Sequence, residues 1–177
     1  MKKNLIFLDI DGVLNNSKSL DKAWSEHRSN GIASIDPDCL NNLIDICKET
    51  NAFICISSAW RMFTRFDETW IREGNKPNKD FESDFNDLLK LLKDSGLNVI
   101  GQTPNLARNG EWTNFIRGQE INKWLTDEKE KDWNWIIIDD NSLFFFEWQL
   151  AQAVITSEKL GLTSIDAAHA IILLNGE

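Results

Sequence analysis

Two aspartates two residues apart, followed by a glycine, stand where an apolar run stops: Leu8-Asp9-Ile10-Asp11-Gly12-Val13-Leu14-Asn15. In an extended segment a spacing of two aims both side chains the same way. Such a pair can hold a hard cation and divide labour on a phosphate ester. One carboxylate attacks phosphorus while the other handles the proton of the leaving group. Gly12 lets the chain turn sharply beside the ligand. Aspartate and glycine also favour plain turns, so the motif alone is of middling specificity.

Two further apolar runs end in chemistry. Ile54-Cys55-Ile56-Ser57-Ser58 offers hydroxyls and backbone N–H groups to a phosphate oxygen, although a serine there also suits a helix cap or turn. Ile136-Ile137-Ile138-Asp139-Asp140-Asn141 places two adjacent carboxylates beside a core, which is costly unless something cationic neutralises them. Magnesium is the natural cation, and a solvated acidic turn is the plain alternative for one of the two. Arg61, four residues after Ser57, could grip a phosphate oxygen bidentately or lie on the surface.

These residues need a scaffold that gathers strand ends. Leu5–Leu8, Ala52–Ile56, Leu97–Ile100, Trp135–Ile138 and Ala153–Ile155 are short apolar runs suited to strands buried on both faces. Between the first two, Asp36 caps a helix that has Pro37 at its first position, with Leu40, Leu43, Ile44 and Cys47 along one side. Phe85, Leu88, Leu89 and Leu92 make another stripe that stops at Ser95-Gly96, and Ile121, Trp124 and Leu125 predict a helix around 115–130. A last helix opens at a Thr163/Asp166 capping box, with Ile165, Ala168 and Ile172 as its expected inward side. Strand–helix alternation of this kind predicts an α/β fold, a three-layer α/β/α sandwich around an open, mostly parallel five-stranded sheet. Such sheets bind ligands outside the carboxyl ends of their strands. Segments 15–35 and 58–81 are the least regular and read as a flap and a small insertion beside the site.

The chain of 177 residues suits one domain, expected over residues 1–177. There is no long apolar run and no signal-peptide pattern after Met1, so a cytoplasmic protein without a membrane span is the expectation. Cys39, Cys47 and Cys55 lack metal-ligand spacing and read as small buried hydrophobes. The net charge of −9 argues against a general nucleic-acid coat but leaves room for a local basic groove. Arg65, Arg72, Lys76 and Lys79 alternate with Trp60, Phe63, Phe66 and Trp70. Phe63, Phe66 and Trp70 have helical spacing, so the stretch reads better as a helix with these three toward the core and its charges solvated than as a strand-binding track. Core and rim packing also accounts for most of the eight tryptophans. Neither His27 nor His169 is placed for chemistry.

At its strand ends the sequence resembles the haloacid dehalogenase (HAD) superfamily. The first motif matches Asp9-Ile10-Asp11-Gly12-Val13, the second Ser57 and the fourth Asp139-Asp140, in the right order and over the whole chain. Within it the chain looks most like the HAD domains of Swiss Army Knife RNA repair proteins. That likeness rests on Asp-Gly-Val-Leu-Asn at 11–15, Ser-Ser-Ala-Trp-Arg at 57–61, Arg117 followed by Glu120-Ile121 and Trp124-Leu125, and Gly-Leu-Thr at 161–163. A nucleotidase branch carries similar Asp-Asp endings.

The resemblance implies a HAD-like Rossmannoid fold with a small or absent cap. It implies an Mg²⁺-dependent phosphatase in which Asp9 is the nucleophile, transiently phosphorylated, and Asp11 the general acid–base. The Asp9 carboxylate, the Asp11 backbone carbonyl and Asp139 or Asp140 would hold the metal, with Asp140 favoured. Ser57, Ser58, Arg61 and Arg117 would bind phosphate; Lys123 or Arg108 could replace Arg117 as the third motif. The expected substrate is a phosphorylated nucleic-acid end or nucleotide. The rivals are a small-metabolite phosphatase of the same superfamily and a catalytically idle phosphate- or protein-binding module.

Overall fold

The computed structural model describes residues 2–27, 31–64, 79–106, 116–128 and 132–176. Five parallel strands form one open sheet in the order β3-β2-β1-β4-β5. They are β1 (Lys3–Leu8), β2 (Phe53–Ile56), β3 (Val99–Gln102), β4 (Trp133–Asp139) and β5 (Ala153–Ile155). Among the described residues the α-helices are α1 (Ser17–His27), α2 (Pro37–Thr50), α3 (Lys79–Asp94), α4 (Ile116–Asp127), α5 (Glu147–Leu150) and α6 (Ser164–Asn175).

Side chains alternate across the strands, so each face of the sheet has its own core. Ile6, Leu8, Ile54, Ile56, Ile136 and Ile138 pack under α2, α3 and α6 through Leu43, Ile46, Leu88, Leu92, Ala170 and Leu174. Leu5, Phe7, Cys55 and Ile137 face the other way, against Ile121 and Trp124 of α4 and against Phe145. Strand β1 lies in the middle, and its Leu5–Leu8 are fully buried. Its neighbours lead to opposite edges of the sheet, β2 toward β3 and β4 toward β5. Such a switch point opens a crevice at the carboxyl ends of the strands.

The five expected strands and the helices expected at 37–50, 85–95, 115–130 and after Thr163 are present, with local differences, whereas the helix expected over the aromatic–basic stretch falls mostly on residues outside those described. Strand β4 begins at Trp133, two residues early, because it pairs with β1 from Lys3↔Trp133 to Leu8↔Ile138. Its polar Asn134 is satisfied by the Asn4 side chain (2.9 Å) and the Leu174 carbonyl (2.6 Å). Strand β3 starts at Val99 rather than Leu97. Part of the expected flap is a helix, α1, which Asn16 opens by exchanging hydrogen bonds with Ser19: each backbone N–H meets the other's side-chain oxygen at 3.0 Å.

The last helix corrects the sequence reading. Thr163 and Asp166 do form the capping box, but Ile165 is 80% exposed and Ile172 45% exposed, and Ala168 is exposed too. The inward residues are Ala167, Ala170 and Leu174, packed against α2 and the sheet. Helix α6 is apolar on nearly every side, so spacing alone selects no side.

Candidate active site

The first and fourth apolar runs are adjacent strands, so the carboxylates that end them meet. Carboxylate oxygens of Asp9, Asp139 and Asp140 all lie within 4.8 Å of one another. Asp9 and Asp139 are buried, and Arg117, from the first turn of α4, forms ion pairs with both, the latter at 2.6 Å. Asp9 also accepts from the Ile10 N–H (2.8 Å), and Asp139 from the Asn141 N–H (2.9 Å). The Arg117 guanidinium stacks 5.2 Å from the centre of the Phe144 ring.

Three carboxylates against one guanidinium leave this corner short of positive charge. Burial pushes the Asp139 carboxyl well above the usual carboxylate range, and the Asp9 charge adds to the push. Asp140, half-buried, is pushed up to about 6 by burial and by Asp9. Burial works to discharge Arg117, but Asp9 and Asp139 more than reverse it and hold the guanidinium above its ordinary value. A small hard cation would relieve the same crowding, and an all-oxygen donor set suits magnesium. Both oxygens of Asp139 are engaged by Arg117 and Asn141, which leaves Asp140 the better placed to reach a cation.

The turn after β1 brings Asp140 and Asp11 to the same mouth. Gly12 has φ +68°, and a Cβ there would overlap the Asp140 carboxylate, so glycine is required by both backbone and space. Thr156, at the end of β5, ties the turn down by donating to the Gly12 carbonyl at 2.7 Å. Asp11 is exposed, yet held at both oxygens. Asn15 Nδ2 donates to one (2.8 Å) and the Trp60 indole Nε1 to the other (2.9 Å). Asn15 Oδ1 meanwhile accepts from the Gly12 N–H at 2.9 Å, so one amide orders both the turn and the carboxylate.

Ser57 and Ser58 follow β2 and are buried. Ser57 Oγ has no hydrogen-bond partner among the described residues, which is uncommon for a buried hydroxyl. Ser58 Oγ accepts from the Trp60 N–H at 3.3 Å. Arg61 is not the surface arginine that one reading allowed: it is 2% exposed. Its guanidinium pairs with Glu120 of α4 and donates to the Ser58 carbonyl and to the Thr103 carbonyl (3.1 Å). Burial lowers its pKa and Glu120 opposes that shift. Arg61 therefore braces the loop that carries Ser57, and Glu120, fully buried, also accepts from the Leu106 N–H at 2.9 Å.

Of the candidates for the third basic residue, Arg117 reaches the site. Lys123 is exposed and pairs with Asp127 at 3.0 Å. Arg108 lies outside the described residues, as do Arg65, Phe66, Trp70, Arg72 and Lys76. Asn15, Trp60 and Glu120 belong to the recognised motifs but had no role from sequence. Trp60 and Glu120 make their contacts to residues distant in the chain, and only Asn15, four after Asp11, carried a local hint. The three cysteines behave as small hydrophobes: burial pushes Cys47 up to about 12, and Cys39 and Cys55 are also raised.

Residues 5–167 match the family described as the HAD domain in Swiss Army Knife RNA repair proteins. No curated protein matches the sequence.

Proposed function

We propose that this chain, which belongs to the family of HAD domains in Swiss Army Knife RNA repair proteins, is an Mg²⁺-dependent phosphohydrolase working through an aspartyl-phosphate on Asp9. The observation that carries the reading is Asp9 itself: a buried carboxylate gripped by Arg117, beside Asp140, with Asp11 held at the mouth by two donors. Asp9, Asp140 and the Asp11 backbone carbonyl would hold the metal. When bound, magnesium would neutralise charge on the phosphoryl oxygens.

Asp9 attacks phosphorus in line, forming an O–P bond as the bond to the leaving oxygen breaks. Asp11 gives that oxygen its proton. A water then attacks the same phosphorus, Asp11 takes the water's proton, and phosphate leaves as Asp9 is restored. Arg117 orients Asp9 and, with Ser57 and Ser58, stabilises the transferring phosphoryl group. Arg61 enters through the loop it braces. Asp139 fixes Arg117.

The substrate we propose is a phosphorylated nucleic-acid end or a nucleotide, handled in the cytoplasm. The family's description motivates this choice. Among the described residues no helix is long and apolar enough to cross a membrane.

The test is phosphate release, with and without magnesium, from oligonucleotides phosphorylated at either end, free mononucleotides and an aryl phosphate. Wild type should be active and Asp9→Asn inactive. Activity that survives in Asp9→Asn ends the mechanism. Preference for mononucleotides or sugar phosphates over oligonucleotide ends moves the substrate assignment to small metabolites.

A further inference from the structure

Ser57 is not alone in lacking a partner. Thr103 Oγ1, just past β3, is likewise without a hydrogen bond among the described residues, and Thr103 is 2% exposed against 1% for Ser57. Buried hydroxyls in folded proteins are nearly always bonded, so two orphans on neighbouring strand ends call for one explanation.

The ladder fixes their relation. Thr103 N–H donates to the Ile56 carbonyl (2.9 Å), Ser57 N–H to Leu8 (2.7 Å) and Asp9 N–H to Ile138 (3.0 Å), so these residues continue the sheet in step. Cys55 and Gly101 are partners facing α4: Cys55 packs with Trp124, and a Cβ on Gly101 would lie 3.7 Å from the Trp124 indole nitrogen. Two residues on, alternation turns Ser57 and Thr103 to that same side. Asp9, two after Phe7, and Asp139, two after Ile137, face it as well. Thr103, Ser57, Asp9 and Asp139 thus form one polar row across four strands. Arg117 joins Asp9 and Asp139 at one end, and Arg61 holds the backbone at the other through the Thr103 and Ser58 carbonyls.

Adjacent strands lie about 4.8 Å apart. Two hydroxyls at roughly that separation can share one anionic oxygen, or grip two oxygens of one tetrahedral anion, with bonds of about 2.5–2.7 Å. From this row we infer that Thr103 is a further hydroxyl ligand of the phosphoryl group, donating beside Ser57. The inference rests on the phosphohydrolase reading and adds a binding residue from β3 to it.

The test compares wild type, Thr103→Val, Thr103→Ser, Ser57→Ala and Asp9→Asn. Orthovanadate binding is measured by calorimetry with magnesium present, kcat/KM with an aryl phosphate, and thermal stability without ligand. Thr103→Val should weaken vanadate binding and lower kcat/KM about ten- to hundred-fold, the loss of one hydrogen bond to a charged group. Its stability should hold or rise, since an orphaned hydroxyl becomes a methyl. Thr103→Ser should restore most of the affinity.

If Thr103→Val binds vanadate as wild type does, while wild type is active and Asp9→Asn is not, the Thr103 assignment fails alone. If wild type neither hydrolyses the ester nor binds vanadate, the phosphohydrolase reading falls and takes Thr103 with it.

Discussion

In the proposed reaction Asp11 is the general acid–base, and few atoms separate that role from a plain turn residue. Its carboxylate is exposed, and an exposed aspartate ordinarily samples several rotamers. Here the Trp60 indole and the Asn15 amide each engage one oxygen, so the side chain presents one orientation to the mouth. Trp60 is itself 7% exposed and packed into the core, which makes its N–H a fixed point. Trp60→Phe keeps a ring in that place and removes the donor. In the proposed reaction its kcat should fall about ten- to hundred-fold, the range for one hydrogen bond to a charged group, with a much smaller change in KM. Because Asp11 protonates the leaving oxygen, the loss should be larger for alkyl than for aryl phosphates. An equal loss for both would mean that Trp60 matters to packing and not to Asp11.

At the scale of elements, the Arg61–Glu120 pair ties the turn after β2 to helix α4. Both members are almost wholly buried. Deleting one member of such a pair leaves the other charge stranded, at a cost of about 3–5 kcal/mol. Arg61→Ala should lose stability on that scale in urea unfolding, and Arg61→Met with Glu120→Leu should recover much of it. This pair also marks where the sequence stops being legible. These strand ends could be read because the first, second and fourth apolar runs stop at polar residues, Asp9, Ser57 and Asp139. An ion pair between residues 59 apart leaves no local pattern, so Arg61 read equally well as a surface or phosphate residue.

Helix α6 was illegible for the opposite reason. Its side chains at 165/168/172 and at 167/170/174 both follow helical spacing, and only packing against α2 selects the second set. Leu174→Ala should therefore cost about 2–5 kcal/mol by emptying core space. Ile165→Ser, on the exposed side, should change stability by no more than about 0.5 kcal/mol. Equal effects in urea unfolding would overturn the observed register.

Across the whole molecule, the site is the point where the two halves of the sheet part. The turn after β1 supplies Asp9 and Asp11, and β4 supplies Asp139 and Asp140. A cation held there would bridge segments about 130 residues apart in the chain. It would bind the native arrangement and not the unfolded chain, so it should stabilise the protein by mass action, about 2.7 kcal/mol at a hundred times its dissociation constant. For a protein of this size that is a rise in Tm of about 5–10 °C. Asp140→Asn should abolish most of the magnesium-dependent rise, because Asp140 lies over Gly12 at the mouth. Asp139→Asn should keep more of it, since Asp139 is engaged by Arg117 and the Asn141 N–H; its larger effect should be on turnover, through a loosened Arg117 and Asp9. Thermal unfolding of the three proteins with and without magnesium decides the matter. A rise of the same size in all three would move the cation away from this cluster, and with it the charge compensation on which the proposed chemistry depends.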